Sequence, residues 1–271
     1  MNHRAKKRFG QNFLSDDNVI QDIVNCIAPQ KDDVMIEIGP GLGAMTIPLL
    51  DSLDKLNVIE LDRDIIPRLV ENCRKHDPAC ADRLVVNEAD VLKFDFAAFH
   101  RRQAEGKKLR IVGNLPYNIS TPILFHLLDF RHLISDMHFM LQKEVVDRIC
   151  SPAGNKNYGR LSVMIQAYCQ TQSLFGVPPS AFQPPPKVDS AIVQLVPRDD
   201  DQVMISSFHD FETLVRSAFS QRRKTLRNTL RSLCSAEQIE VAGFKPSQRA
   251  EELSVRDFVQ LYKTIFQDDH S

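Results

Sequence analysis

Four residues in the middle of the chain, Asn114-Leu115-Pro116-Tyr117, set an amide, a carbonyl, a stiffened backbone and an aromatic face in a row. They follow the apolar run Leu109–Val112. Ligands of open α/β sheets bind beyond the carboxyl ends of strands, so this tetrapeptide is placed to meet one. The chemistry it suits is alkylation of an exocyclic amine such as adenine N6. That nitrogen is a poor nucleophile because its lone pair is delocalised into the ring. The Asn114 side-chain oxygen and the Leu115 carbonyl can each accept one N–H, which favours a pyramidal nitrogen and aims its lone pair. Pro116 fixes the backbone, and Tyr117 offers a face for a base taken out of its stack. No titratable base is needed before attack, since the amine becomes acidic once alkylated. The plainer alternative is a proline-stiffened turn with a core tyrosine.

An electrophile for that amine needs its own site. Val34–Thr46 (VMIEIGPGLGAMT) reads as a strand, a glycine turn and a helix start. Gly39 and Gly41 allow a sharp turn and a close ligand approach. Glu60 ends the next apolar run, where a carboxylate can accept both hydroxyls of a ribose. Asp90 closes the third run and could meet an adenine edge. These residues indicate an adenosine-containing cofactor, but they leave S-adenosylmethionine and NAD both open, because Gly39-x-Gly41-x-x-Ala44 also fits a dinucleotide fingerprint.

The elements that must position these residues alternate. Val34–Ile38, Leu56–Ile59, Leu84–Val86, Leu109–Val112 and Met137–Leu141 read as buried strands separated by helix-length segments, the rhythm of a parallel sheet covered on both faces. Ser162–Ser173 and Val188–Val196 read as longer strands joined through a proline-rich connection, closing the sheet as an antiparallel edge pair. Pro197–Gln202 reads as a linker. Beyond it Phe211, Leu214, Val215 and Ala218 recur at helical spacing. Ser254 reads as an N-cap leading to Phe258, Leu261, Tyr262 and Ile265. The expected organisation is an α/β domain over 1–200 and a small α-helical domain over 205–271.

Composition narrows the class. The six cysteines contain no C-x-x-C pair and the histidines no H-E-x-x-H, which argues against zinc and against a disulfide scaffold. No apolar run reaches membrane-spanning length, and the basic N-terminus lacks the apolar stretch of a secretory signal. A cytoplasmic protein is expected. The net charge of −1 hides segregation. Arg4, Lys6, Lys7 and Arg8 crowd the N-terminus. Between Thr213 and Ala236 there is no acid, yet Arg216, Arg222, Arg223, Lys224, Arg227 and Arg231 fall there. Arg216, Arg223, Arg227 and Arg231 are spaced to share one helix face, which suits phosphate contacts to single-stranded or looped RNA. Arg101, Arg102, Lys107, Lys108 and Arg110 form a second cluster, read as a solvated loop. No sustained heptad is present, so a monomer is expected.

Asn114–Thr121 (NLPYNIST), preceded by the E-I-G-P-G-x-G turn, resembles the rRNA adenine N6,N6-dimethyltransferase family, and the pattern is most similar to its bacterial small-subunit (16S) branch, the KsgA/RsmA family. The resemblance runs almost end to end. Lys7–Leu14 resembles the family's N-terminal cofactor motif, Val177–Ser190 its target-base loop, and Phe219–Asn228 the start of its helical domain. It implies a Rossmann-like seven-stranded methyltransferase sheet, with S-adenosyl-L-methionine as donor. Asn12, Leu14, Gly39, Glu60, Asp90 and Asn114 match its cofactor contacts, to which the glycine turn adds Gly41, while the basic segment offers Arg222, Arg223, Lys224 and Arg227 as the expected RNA contacts. The implied substrate is two adjacent adenosines in a hairpin loop near the 3′ end of 16S rRNA, within the immature 30S subunit. Asn114, Leu115, Tyr117 and Phe182 then form the target-base site, with Phe182 and Tyr117 sandwiching the adenine or Phe182 simply anchoring the loop. The competing readings are an RNA-binding assembly checkpoint factor with secondary catalysis, an NAD-linked dehydrogenase and a DNA adenine methyltransferase.

Overall fold

The computed structural model describes residues 12–267. The basic residues Arg4, Lys6, Lys7 and Arg8, and the part of the N-terminal motif before Asn12, lie outside the described residues. The described chain forms two compact units. One runs up to Val146 and takes up Gln172–Pro197. The other joins Asp147–Thr171 to the chain from Arg198 onward. The linear split at 200 to 205 therefore needs correcting, because Asp147–Thr171 groups with the C-terminal helices.

The strands are β1 (Phe13–Leu14), β2 (Val34–Ile38), β3 (Leu56–Glu60), β4 (Leu84–Glu88), β5 (Leu109–Asn114), β6 (Ile134–Gln142), β7 (Cys169–Val177), β8 (Phe182–Gln183) and β9 (Ser190–Pro197). Seven of them form one sheet in the order β4-β3-β2-β5-β6-β9-β7. The pairs from β4 to β6 are parallel, and β9 runs antiparallel to β6. The Arg198 N–H donates to the Tyr168 carbonyl, and Gly176 faces the Ser190 carbonyl, so β7 and β9 are antiparallel as well. β1 pairs with β8, setting Leu14 opposite Phe182.

The central strands read as unbroken apolar runs because both their faces are covered. Ile36, Val58, Ile111 and Val112 are fully buried. At the end of β5 a Cβ on Gly113 would lie 2.5 Å from the Ile38 carbonyl oxygen, so only glycine lets β5 and β2 approach this closely.

Ser162–Ser173 is not one strand. The helix Arg160–Tyr168 runs directly into β7. The Ser162 hydroxyl accepts the Gly159 N–H at 3.0 Å and starts that helix. Ser162, Val163, Met164, Ile165, Ala167 and Tyr168 are all buried. A segment covered on every side has no polar face to betray its period, so helix and strand look alike in sequence.

The basic stretch also departs from expectation. The helix Phe208–Ala218 stops before it, and only the short helix Leu226–Thr229 follows. The side chains from Ser220 to Thr225 are polar or charged, so a continuing helix would bury nothing there. Instead the Ser220 N–H turns back to Ser217, and the Leu226 and Arg227 N–H groups go to the Gln248 and Pro246 carbonyls. Arg216, Arg223, Arg227 and Arg231 therefore do not share one helix face, although all four are exposed.

Helical periodicity elsewhere matches the burial. Phe211, Leu214, Val215 and Ala218 are buried. Ser254 caps Val255–Phe266, accepting the Asp257 N–H while Asp257 accepts the Ser254 N–H. The apolar side of that helix joins an aromatic cluster in which Phe211 meets Tyr262 edge-on and Phe219 stacks on Phe258.

Candidate active site

The site is built at the carboxyl ends of β2, β3 and β5. β2 and β5 are adjacent and in register, with Ile38 opposite Gly113. The next residues, Gly39 and Asn114, are therefore neighbours, and a Cβ on Gly39 would lie 3.8 Å from the Asn114 carbonyl oxygen. The glycine turn and the NLPY run, 75 residues apart in sequence, meet here. Gly39, Gly41 and Gly43 all have positive φ, at 68°, 56° and 98°. That conformation costs glycine little and L-residues more. The Gly39 N–H donates to the Ile59 carbonyl at 3.0 Å, which ties the turn to β3. The Phe13 ring lies 3.4 Å from the position of a Cβ on Gly41.

Glu60 ends β3 and is only 9% exposed. Its Oε1 accepts the N–H groups of Leu61 and Asp62, each at 2.8 Å. Burial raises its pKa, while these N–H groups and that of Gly41 oppose the rise. The carboxylate is thus held in one orientation before any ligand arrives. Asp90 follows β4 and caps the next turn, its Oδ1 accepting the Leu92 N–H at 3.0 Å.

Sequence reasoning missed Glu37. It lies in β2 at 1% exposure and accepts a hydrogen bond from the Thr46 hydroxyl at 2.7 Å, bridging the strand to the helix Thr46–Ser52 beneath the glycine turn. Burial, opposed by Thr46 and reinforced by Glu60, pushes its pKa up to about 7. The only signal in the sequence is a charged residue inside an otherwise apolar strand. Because the folded state holds this proton more tightly than the unfolded one, the associated stability is complete below the ordinary carboxylate range. It is lost as pH rises toward 7, by up to about 1.4 kcal/mol per unit. Urea unfolding from pH 4.5 to 7.5 should show this decline in the wild type and a flatter profile in Glu37→Gln.

Asn114 is partly exposed at the end of β5, and among the described residues its side chain has no hydrogen-bond partner. Leu115 is 1% exposed, and its N–H donates to the Met140 carbonyl at 3.2 Å, which holds the run against β6. The Tyr117 hydroxyl lies 2.6 Å from Ser190 Oγ, fixing the ring while leaving it partly open. Burial raises the Tyr117 pKa and the Ser190 bond opposes that rise.

Two of the expected contact residues are buried. Phe182 is 3% exposed and sits in the core cluster with Leu14, Val177, Ala181 and Ile192, so it presents no open face for a base beside Tyr117. Its pairing with Leu14 in the β1–β8 ladder explains the burial. Leu14, 7% exposed, likewise commits its side chain to that core. In the second unit Arg222, Arg223, Lys224 and Arg227 are exposed. Arg222 donates to the Lys156 carbonyl and lies 3.8 Å from Glu251, whereas the other three form no ion pair among the described residues.

Residues 2–267 match the model of one family, described as ribosomal RNA adenine dimethylase. The chain belongs to that family. It is 49% identical over 265 residues to Ribosomal RNA small subunit methyltransferase A of Shewanella sp. (strain MR-7), covering 98% of this chain and 96% of the relative. The protein of the same name from Xanthomonas campestris pv. campestris (strain B100) is 52% identical over 257 residues, with 95% of each chain covered. Among solved structures, a dimethyladenosine transferase from Plasmodium falciparum superposes with a TM-score of 0.77 at 27% identity, covering 92% of this chain and 95% of the other. This dimethylase is thus an S-adenosylmethionine-dependent methyltransferase, which removes the NAD alternative left open by the glycine turn.

Proposed function

We propose that the protein transfers methyl groups from S-adenosylmethionine to N6 of two adjacent adenosines near the 3′ end of 16S rRNA, acting as a cytoplasmic monomer on the immature 30S subunit. The observation that carries this reading is the approach of Gly39 to the Asn114 carbonyl, which brings the glycine turn and the NLPY run to one point.

The residues fit the donor chemically. Glu60 is a pre-oriented carboxylate suited to ribose hydroxyls, Asp90 an acceptor suited to an adenine amino group, and the glycine turn allows close approach. We assign Asn12, Gly39, Gly41, Glu60, Asp90 and Asn114 to holding it, and Leu14 through its backbone, since its side chain is committed to the core. When bound, S-adenosylmethionine supplies an electrophilic methyl carbon on sulfur. The target adenine, taken out of its stack, lies on Tyr117, whose ring the Ser190 bond keeps in place. The Asn114 side-chain oxygen and the Leu115 carbonyl would accept the N6–H bonds and aim the lone pair; as the N–C bond forms the C–S bond breaks, leaving S-adenosylhomocysteine, and the alkylated nitrogen, now acidic, gives its proton to water. A monomethylated N6 offers one N–H, so the second round proceeds with one of the two acceptors idle. Phe182 supports the loop from below through its core packing. The exposed Arg222, Arg223, Lys224 and Arg227 hold RNA phosphates and position the target without reading its sequence.

Binding and transfer are testable separately. Isotopically labelled methyl groups should pass from the donor to under-methylated small-subunit particles. Glu60→Ala should abolish both S-adenosylhomocysteine binding and transfer while the protein stays folded. Transfer to a DNA oligomer in preference to the particles would reject the RNA assignment.

A further inference from the structure

Large apolar side chains are exposed at only four described positions: Leu61, Val188, Met204 and Val241. Val188, at 44% exposure, lies in the loop that leads into β9. It lies two residues before Ser190, the partner of Tyr117, so its Cα is within about 7 Å of the Ser190 Cα. Its backbone is held from both sides. Pro184, Pro185 and Pro186 precede it, the Asp189 carbonyl accepts the Lys143 N–H at 2.9 Å, and Ser190 is paired with Gln142 in the β6–β9 ladder. The flanking Lys187 and Asp189 are also exposed, so the loop presents one apolar side chain between polar neighbours.

A base drawn onto Tyr117 leaves a gap in the RNA stack, and closing that gap returns the base. Proteins that open nucleic-acid stacks insert a firmly held apolar side chain into the step. We infer that Val188 is that wedge: a positioning residue that enters the space vacated by the target adenine and holds the nucleotide in the site. The inference rests on the adenine-methylation reading above. It assigns Val188 no contact with the reacting atoms.

The test compares the wild type, Val188→Ser and Val188→Ile on two substrates. One is the intact under-methylated small-subunit particle. The other is a particle in which one target adenosine is replaced by an abasic residue, so that the remaining one has lost a stacking neighbour. Val188→Ser should lower kcat/KM on the intact particle about tenfold, the scale set by burying one valine side chain. Val188→Ile should retain wild-type activity, and the deficit of Val188→Ser should vanish on the abasic particle. S-adenosylhomocysteine affinity should be the same in all three proteins. Wild-type activity of Val188→Ser on the intact particle, or an equal deficit on both particles, would overturn the wedge and leave the methylation reading standing. Absence of transfer by the wild type itself would overturn both.

Discussion

Asn114→Ala lowers kcat for methyl transfer by about 10²–10³-fold, the scale seen when one pre-positioned polar contact to a reacting group is removed. The size follows from how the residue is held. Asn114 is the last residue of β5, paired with Met140 across the sheet, and the Leu115 N–H fixes the backbone just beyond it. The backbone that carries this side chain is thus set in place before substrate arrives, and nothing else on β5 can replace it. The same geometry keeps the variant folded, since the side chain is partly exposed and leaves no described partner unsatisfied. Glu60 and Asp90 remain, so S-adenosylhomocysteine binding weakens little. Single-turnover kinetics with saturating donor separate the two effects. Unchanged kcat in Asn114→Ala removes the role given to this side chain in activating N6.

The second large effect is on stability. Arg110 was expected in a solvated basic cluster, but its side chain is only 15% exposed and organises the amino-terminal ends of β2, β5 and β6. Its guanidinium donates to Asp33 at 2.6 Å, to Asp136 at 2.8 Å and to the Ile27 and Ala28 carbonyls that end the helix Asp17–Ile27. Burial would raise the Asp136 carboxyl, yet the His138 ring and the Arg110 fork outweigh it and hold that pKa below the usual range. Arg110→Ala leaves two carboxylates and two helix-end carbonyls without their donor and destabilises the protein by about 3 kcal/mol, the low end for breaking a buried pair. Arg110→Lys recovers part of this, because an ammonium cannot fork to two carboxylates at once. Urea unfolding at pH 7 checks both variants. An unchanged midpoint in Arg110→Ala would mean the network contributes no net stability.

The parallel strands were legible because two covered faces leave unbroken apolar runs, and the C-terminal helices because one covered face leaves a 3.6-residue period. The glycine turn and the NLPY run were legible as strand-end motifs, each from its local chemistry. The role of Arg110 was not, since its partners Asp33 and Asp136 lie 77 and 26 residues away and only the sheet brings them together. Tyr117 and Ser190 meet over 73 residues for the same reason. Glu37 was missed, and Phe182 was left open between a base contact and a loop anchor, because burial is set by tertiary packing: a glutamate in a strand looks exposed, and a phenylalanine in a proline-rich loop looks available. The basic segment after Ala218 kept its exposure but not its helix, since charge spacing alone does not supply an apolar face.

The most direct test is mass spectrometry of nucleosides from under-methylated small-subunit particles incubated with the protein and S-adenosylmethionine. It reports the base, the atom class and the number of methyl groups together. The wild type should yield N6,N6-dimethyladenosine at both neighbouring positions, and Asn114→Ala none over the same time. Adenosine left unmodified by the wild type, or methyl groups found on another base or on ribose, would contradict it.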